Sequence, residues 1–273
     1  MSSLLVHPSA TPEADGTILR ITPETAGWRH VGFEVLSLAE GLVARRSSGE
    51  REACVVVISG EVDVRTDDLE WLAVGGREDP WAGPPDAVYL APGTDFTLAA
   101  RDGEAEVGLC WAPGGEPSAP SRLLPGEEIE VEIRGYGSQE RTILPILMGD
   151  RDAASLLVCE VLTPGGHWSS YPPHKHDRDE PPTETLLEET YYHRVSPARG
   201  FGFQRVYSED RSLDETLAFG DRDCVLVPRG YHTVSAPPGY DVYYLNVMAG
   251  PTRLWAVGND PDHEWTLVSE EHR

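Results

Sequence analysis

Almost every apolar stretch in this chain is four to eight residues long and stops at glycine or proline. Runs of that length rich in Val, Ile, Tyr and Phe fit strands, whereas a helix needs apolar residues recurring near a 3.6-residue period over ten or more positions. With 27 Gly and 23 Pro among 273 residues, turns come often enough to join many short strands. The run at 54–58, the Ser59-Gly60 pair and the run at 61–65 predict a strand, a turn and a strand. Further strands are expected near 87–90, 96–99, 104–111, 129–133, 155–162, 190–195, 201–207, 224–227 and 240–248, with no helix beyond two or three turns. The fold class is all-β.

One pattern occurs twice. Val88, Tyr89 and Leu90 lead into Pro92-Gly93-Thr94-Asp95-Phe96, and Val225, Leu226 and Val227 lead into Pro228-Arg229-Gly230-Tyr231-His232. Pro92 and Pro228 stand 136 positions apart, close to half the chain, which implies a tandem duplication of one all-β unit of ordinary domain size. The Pro-, Gly- and Ser-rich segment 112–125 is the expected linker, giving units at 1–115 and 116–273. The second copy carries His232 where the first carries Phe96, so the chemistry is expected in the second half.

Charge narrows the partners. With 46 acidic against 22 basic side chains, the net charge of −24 argues against nucleic acid, which needs a basic stripe, and against anionic membrane surfaces. An anionic substrate would need a local cation or a metal. The single lysine, Lys175, is expected on the exterior in a salt bridge, because strand alternation turns it away from its two histidine neighbours. Cys54, Cys110, Cys159 and Cys224 form no CxxC pair, so reduced, buried thiols are expected. The opening residues lack the basic and apolar regions of a secretory signal, and no apolar stretch is long enough to span a membrane, so a cytoplasmic protein is expected.

The chemistry concentrates at 165–193. His174-Lys175-His176 puts two imidazoles on one face of a strand. Glu189 opens Glu189-Thr190-Tyr191-Tyr192-His193, and is preferred to Glu188 because it shares a face with Tyr191 and His193. His232 adds a third imidazole after the turn. His174, His176, Glu189 and His232 are thus the candidate ligands of one divalent transition metal, with zinc, manganese and iron all acceptable to such a set.

A pair of histidines followed by a carboxylate on a strand, and then by Pro-x-Gly-x-His, resembles the cupin superfamily. The spacing departs from the usual pattern: twelve residues separate His176 from Glu189, the turn is one residue short, and Arg222 stands where the second motif begins with glycine. The strings SSYPPHKHD, LEETYYHR, FGFQRVY and VLVPRGYHTVSAPPGYDVYYLNVMAGP are similar to the 5-deoxy-glucuronate isomerase family of inositol catabolism, densely in the second half and loosely in the first.

That resemblance implies a bicupin, two jelly-roll-like β-barrels, with a metal only in the C-terminal one. It implies aldose–ketose isomerisation of a small sugar acid, 5-deoxy-D-glucuronate to 5-dehydro-2-deoxy-D-gluconate, in which the metal polarises the carbonyl. Proton movement needs a base, with His193 and metal-bound water first, then Tyr191 and Glu188. For the substrate carboxylate, Arg205 is the first candidate, read as interior because it shares a strand face with Phe201 and Phe203, with Arg229 and Arg194 as alternatives nearer a barrel rim; Gln204 and Tyr192 are further contacts. The segment 177–188 reads as a lid or a solvated insertion. A metal-dependent dioxygenase on the same ligands, and a non-catalytic sugar-acid binder, are the competing readings; a homo-oligomer is compatible with either.

Overall fold

The computed structural model describes residues 4–115 and 119–267. Strands dominate; the one α-helix among the described residues, Pro23–Ala26, is a single capped turn. Two compact units emerge, but not by a single cut: one comprises Pro8–Glu130 with Pro145–Cys159, the other Met1–His7, Val131–Leu144 and Glu160–Arg273. The expected junction at 115/116 abuts residues 116–118, which lie outside the described residues. On either side of it, the 112–125 segment is strand rather than free linker. Ala105–Pro113 pairs with Arg51–Thr66, and Arg122–Leu124 pairs with Ala87–Leu90.

In the first unit the expected turn at Ser59-Gly60 is absent. Arg51–Thr66 is one sixteen-residue strand that changes partners midway, pairing with Ala87–Leu90 and Ala105–Pro113 before the bend and with Asp95–Ala100 after it. The register shifts between Val57 and Ser59, and Gly60 has φ +77° at a place where a Cβ would strike the backbone of Glu104 and Ala105. A bulge at glycine bends the strand where a turn would have ended it. The interior is filled with Leu, Val and Ala side chains together with Phe96, which tilts against Trp111 at 6.0 Å between ring centroids. The segment 145–159 belongs here because buried Glu52 accepts from the Ala154, Ser155 and Leu156 amides and the Tyr89 hydroxyl.

The second unit is a sandwich of two sheets. A seven-stranded sheet runs Leu5–Val6, Cys224–Val227, Glu188–Ser196, Asp241–Ala249, Leu157–Thr163, Arg141–Leu147 and Glu132–Arg134. A five-stranded sheet runs Asp214–Phe219, Gly202–Tyr207, Tyr231–Ser235, Trp168–Lys175 and Gly258–Asn259. These are open sheets among the described residues, so the expected barrels are sandwiches with edges. Both copies of the repeated signal are strand, turn and strand: Ala87–Leu90 with Asp95–Ala100, and Cys224–Val227 with Tyr231–Ser235.

Candidate metal centre

Register builds the site. Between Trp168–Lys175 and Tyr231–Ser235, Ser169 faces Val234 but His174 faces His232, so the first strand advances five residues against two and bulges between them. That bulge, in which Ser170 takes φ +48°, sets His174 directly across from His232. Directly opposed residues in a sheet share a face. His174, His176 and His232 therefore look into the sandwich together. From the facing sheet, Glu189 looks back at them, with Tyr191 and His193 beyond it at a period of two.

His176 Nε2 lies 3.0 Å from Glu189 Oε2. His232 Nε2 lies 3.1 Å from the same oxygen but out of line for a hydrogen bond, which leaves it a buried nitrogen without a partner. Each imidazole turns its Nδ1 to a backbone carbonyl: His174 to Pro172 at 3.4 Å, His176 to Leu187 at 2.8 Å and His232 to Gly230 at 3.0 Å. Donating Nδ1–H in this way turns Nε2 inward as the ligand nitrogen; on His176 that nitrogen faces the Glu189 carboxylate as a donor and would yield its proton to a metal. The donor atoms of His176, Glu189 and His232 lie within 4.8 Å of one another, the only such group of three or more among the described residues. His174 stands beside them, half-buried, its ring 4.7 Å from that of His232. Glu188 is not in the group.

Electrostatics agree with a cation-binding set. Burial alone would raise the Glu189 carboxyl, but the two imidazoles outweigh it and hold it at about 2. Burial, with His232 and His176 alongside, pushes His174 well below its ordinary value and keeps it neutral. For His176 burial acts downward too, yet the bonds to Glu189 and Leu187 win and raise it. Two imidazoles and a carboxylate with almost no water around them fit a divalent transition metal.

The other expected site residues divide. Tyr191 is buried, its ring 5.7 Å from that of His232 and its hydroxyl 3.1 Å from Ser170 Oγ, which lies 3.3 Å from the Tyr244 hydroxyl. His193 is fully buried, donates from Nε2 to Gln204 Oε1 at 2.9 Å, and lies flat on Phe219 at 3.6 Å between ring centroids. Burial drives its pKa down to about 3, so it is neutral and a weak base. Gln204 is thus an interior residue that orients His193. Tyr192 is not on this face: alternation sets it with Thr190 and Arg194 on the other side of the sheet.

Arg205 is also on the wrong side. It faces Thr233, whereas Gln204 faces Val234 and Val206 faces His232, so Gly202, Gln204 and Val206 form the inner row. Arg205 pairs with Asp214 through two bonds of 2.9 Å at the surface. Phe201 and Phe203, which made that face look interior, are exposed; a Cβ on Gly202 would strike the Phe219 ring, so the interior space is filled from the neighbouring strand. Lys175 does point away from the histidines, but its exterior is covered: it is buried, with Nζ 2.9 and 3.0 Å from the Glu184 oxygens and 3.3 Å from Glu209. Ser170 and Tyr244 carry no sequence signal of their own; only the pairing of Tyr244 with His193 separates it from Tyr243.

The family described as KduI/IolB matches residues 4–266. A 5-deoxy-glucuronate isomerase of Geobacillus kaustophilus is 50% identical over 269 residues, 98% of this chain and 97% of that protein. Its counterpart in Bacillus subtilis is 44% identical over 271 residues, covering 98% and 99%. An iolb-like protein of Salmonella typhimurium LT2, solved by crystallography, superposes with a TM-score of 0.94 at 43% identity over 98% of this chain and all of that one. Bacillus subtilis oxalate decarboxylase, at 13% identity, superposes with a TM-score of 0.66 over 95% of this chain and 80% of that one, which shows a shared bicupin fold.

Proposed function

Since the chain belongs to the KduI/IolB family, we propose that it is a metal-dependent isomerase that interconverts 5-deoxy-D-glucuronate and 5-dehydro-2-deoxy-D-gluconate in the cytoplasm. The observation that carries the reading is the convergence of His176, Glu189 and His232 from two sheets, in a chain matched by curated isomerases along nearly its whole length. Four buried free cysteines suit a reducing compartment, and no described helix is long and apolar enough to cross a membrane.

His176, Glu189 and His232, with His174 beside them, would hold one zinc, manganese or iron ion, which when bound supplies Lewis acidity at the carbonyl and its neighbouring hydroxyl. The isomerisation moves hydrogen from the hydroxyl-bearing carbon to the aldehyde carbon and a proton between the two oxygens, with no net oxidation. The Tyr191, Ser170 and Tyr244 hydroxyls form a chain that can carry a proton to or from a substrate oxygen. His193, neutral and fixed by Gln204 and Phe219, is assigned the bracing of Tyr191 and Tyr244 rather than the proton transfer first expected of it.

Anaerobic NMR of 5-deoxyglucuronate with metal-loaded protein tests the reading. Turnover is expected without oxygen, and His232→Ala should lose at least about 100-fold together with bound metal. Unchanged substrate would sink the isomerase, and turnover only after air is admitted, with oxygen consumed, would put a dioxygenase in its place.

A further inference from the structure

We propose that Arg141 is the residue that holds the carboxylate of the sugar acid, a role that rests on the isomerase reading above. The substrate is an anion and the chain carries a net charge of −24, and a metal engaged at the carbonyl end leaves the carboxylate at the other end to be met by a second cation. Most arginines near this sandwich are already engaged: Arg134 with Glu132, Arg178 with Glu209, Arg194 with Asp221 and Arg205 with Asp214. Arg141 has no carboxylate within salt-bridge distance among the described residues. Its hydrogen bond is to a neutral group, from Nη1 to the Gln139 carbonyl at 3.1 Å.

Two chains of contacts lead from Arg141 to the metal centre. Along the sheet, Arg141 is opposed to Arg134, whose guanidinium lies over the Trp255 ring at 5.5 Å, and Trp255 meets the His174 ring edge-on at 6.1 Å. On the other side Tyr244 acts to raise the Arg141 pKa against burial, and Tyr244 connects through Ser170 to Tyr191 beside His232. Burial and the neighbouring Arg134 both act to lower the Arg141 pKa, which is the situation of a half-buried cation that gains from an incoming anion. A planar guanidinium answers a carboxylate with two parallel bonds, whereas the chain's one lysine is already sealed against Glu184. The sugar would then lie with its carboxylate toward Arg141 and its carbonyl end toward the histidines.

The test is binding of D-glucuronate, with D-glucose as the neutral comparison, measured by calorimetry on metal-loaded wild type, Arg141→Gln, Arg141→Lys and Arg205→Gln, with metal content assayed in each. Arg141→Gln should weaken glucuronate about 30-fold or more while glucose and metal content stay as in wild type. Arg141→Lys, which keeps the charge, should fall between the two, and Arg205→Gln should stay within about twofold of wild type. If Arg141→Gln fails to fold, a roughly fivefold or greater loss for Arg141→Lys supports the assignment and an unchanged affinity overturns it. Wild-type affinity for glucuronate in Arg141→Gln, an equal loss for glucose, or no measurable glucuronate binding by wild type would also overturn it. A protein whose glucuronate binding depends on Arg141 but which leaves 5-deoxyglucuronate unchanged would keep the anion site and lose the isomerase reading.

Discussion

His193 has its charge fixed by three neighbours: Phe219 beneath its ring, Gln204 at its Nε2 and a strand interior that excludes water. Its pKa of about 3 lies below the ordinary histidine value, so between pH 6.5 and 3 the unfolded chain takes up a proton that the folded one refuses. The stability this histidine supports is complete above pH 6.5 and is lost as pH falls. Urea titrations of wild type and His193→Gln should therefore converge on acidification, their difference shrinking by on the order of 1–2 kcal/mol between pH 7 and 5. Parallel profiles would mean that the ring is not held neutral. The same strands show what could be read from sequence. Glu189, Tyr191 and His193 were legible because their spacing alone fixes a face. Arg205 was misplaced because hydrophobic Phe201 and Phe203 mark an interior face in most sheets, and nothing local reveals that Phe219 already fills the space above Gly202. Arg141 left no mark, since what distinguishes it is the absence of a neighbouring carboxylate among the described residues, and neighbours are set by distant chain.

The segment 177–188 behaves as a buttress. Glu184 receives the Lys175 ammonium and the Asp177 and Arg178 amides, while Asp177 accepts from the Gly230 amide in the turn before His232. Leu187 donates to the His176 carbonyl and accepts from its ring, and Thr185 donates to Leu254 beside Trp255. One short segment thus touches the surroundings of all three histidines, which speaks against a lid that swings open at each turnover. Breaking its ion pair should show in stability. Lys175→Met is expected to cost about 3 kcal/mol, read from urea denaturation, and to release the Asp177 and Arg178 amides to hydrogen exchange. Unaltered exchange at those amides would mean that the pair does not hold the segment. The sequence told correctly which way Lys175 points and that it would meet an acid. It could not tell that the acid would arrive with a cover, because Glu184 reaches it only after the chain folds back on itself.

At the scale of the whole molecule, the repeated strand, turn and strand made the duplication visible, and the filled interior around Phe96 explains why one unit holds no cluster of metal donors among its described residues. The exchange of segments between the units left no such trace. Leu5 pairs with Val225 and Val6 with Cys224, while His7 meets Asp223 at 2.7 Å, so the start of the chain finishes the sheet that carries Glu189. Removing residues 1–7 should lower the melting temperature of the metal-bearing unit by roughly 5–10 °C, the loss expected for 2–3 kcal/mol in a domain of this size, and a differential scanning trace would show it. An unshifted transition would mean that this edge strand adds nothing. The pairing also has a temporal side. On a ribosome, Leu5 emerges 220 positions ahead of its partner Val225. The Leu5–Val6 segment stays without this partner until Val225 is made, so the sheet that holds Glu189 closes only after that residue has emerged, and no messenger truncated before it can yield the finished sheet.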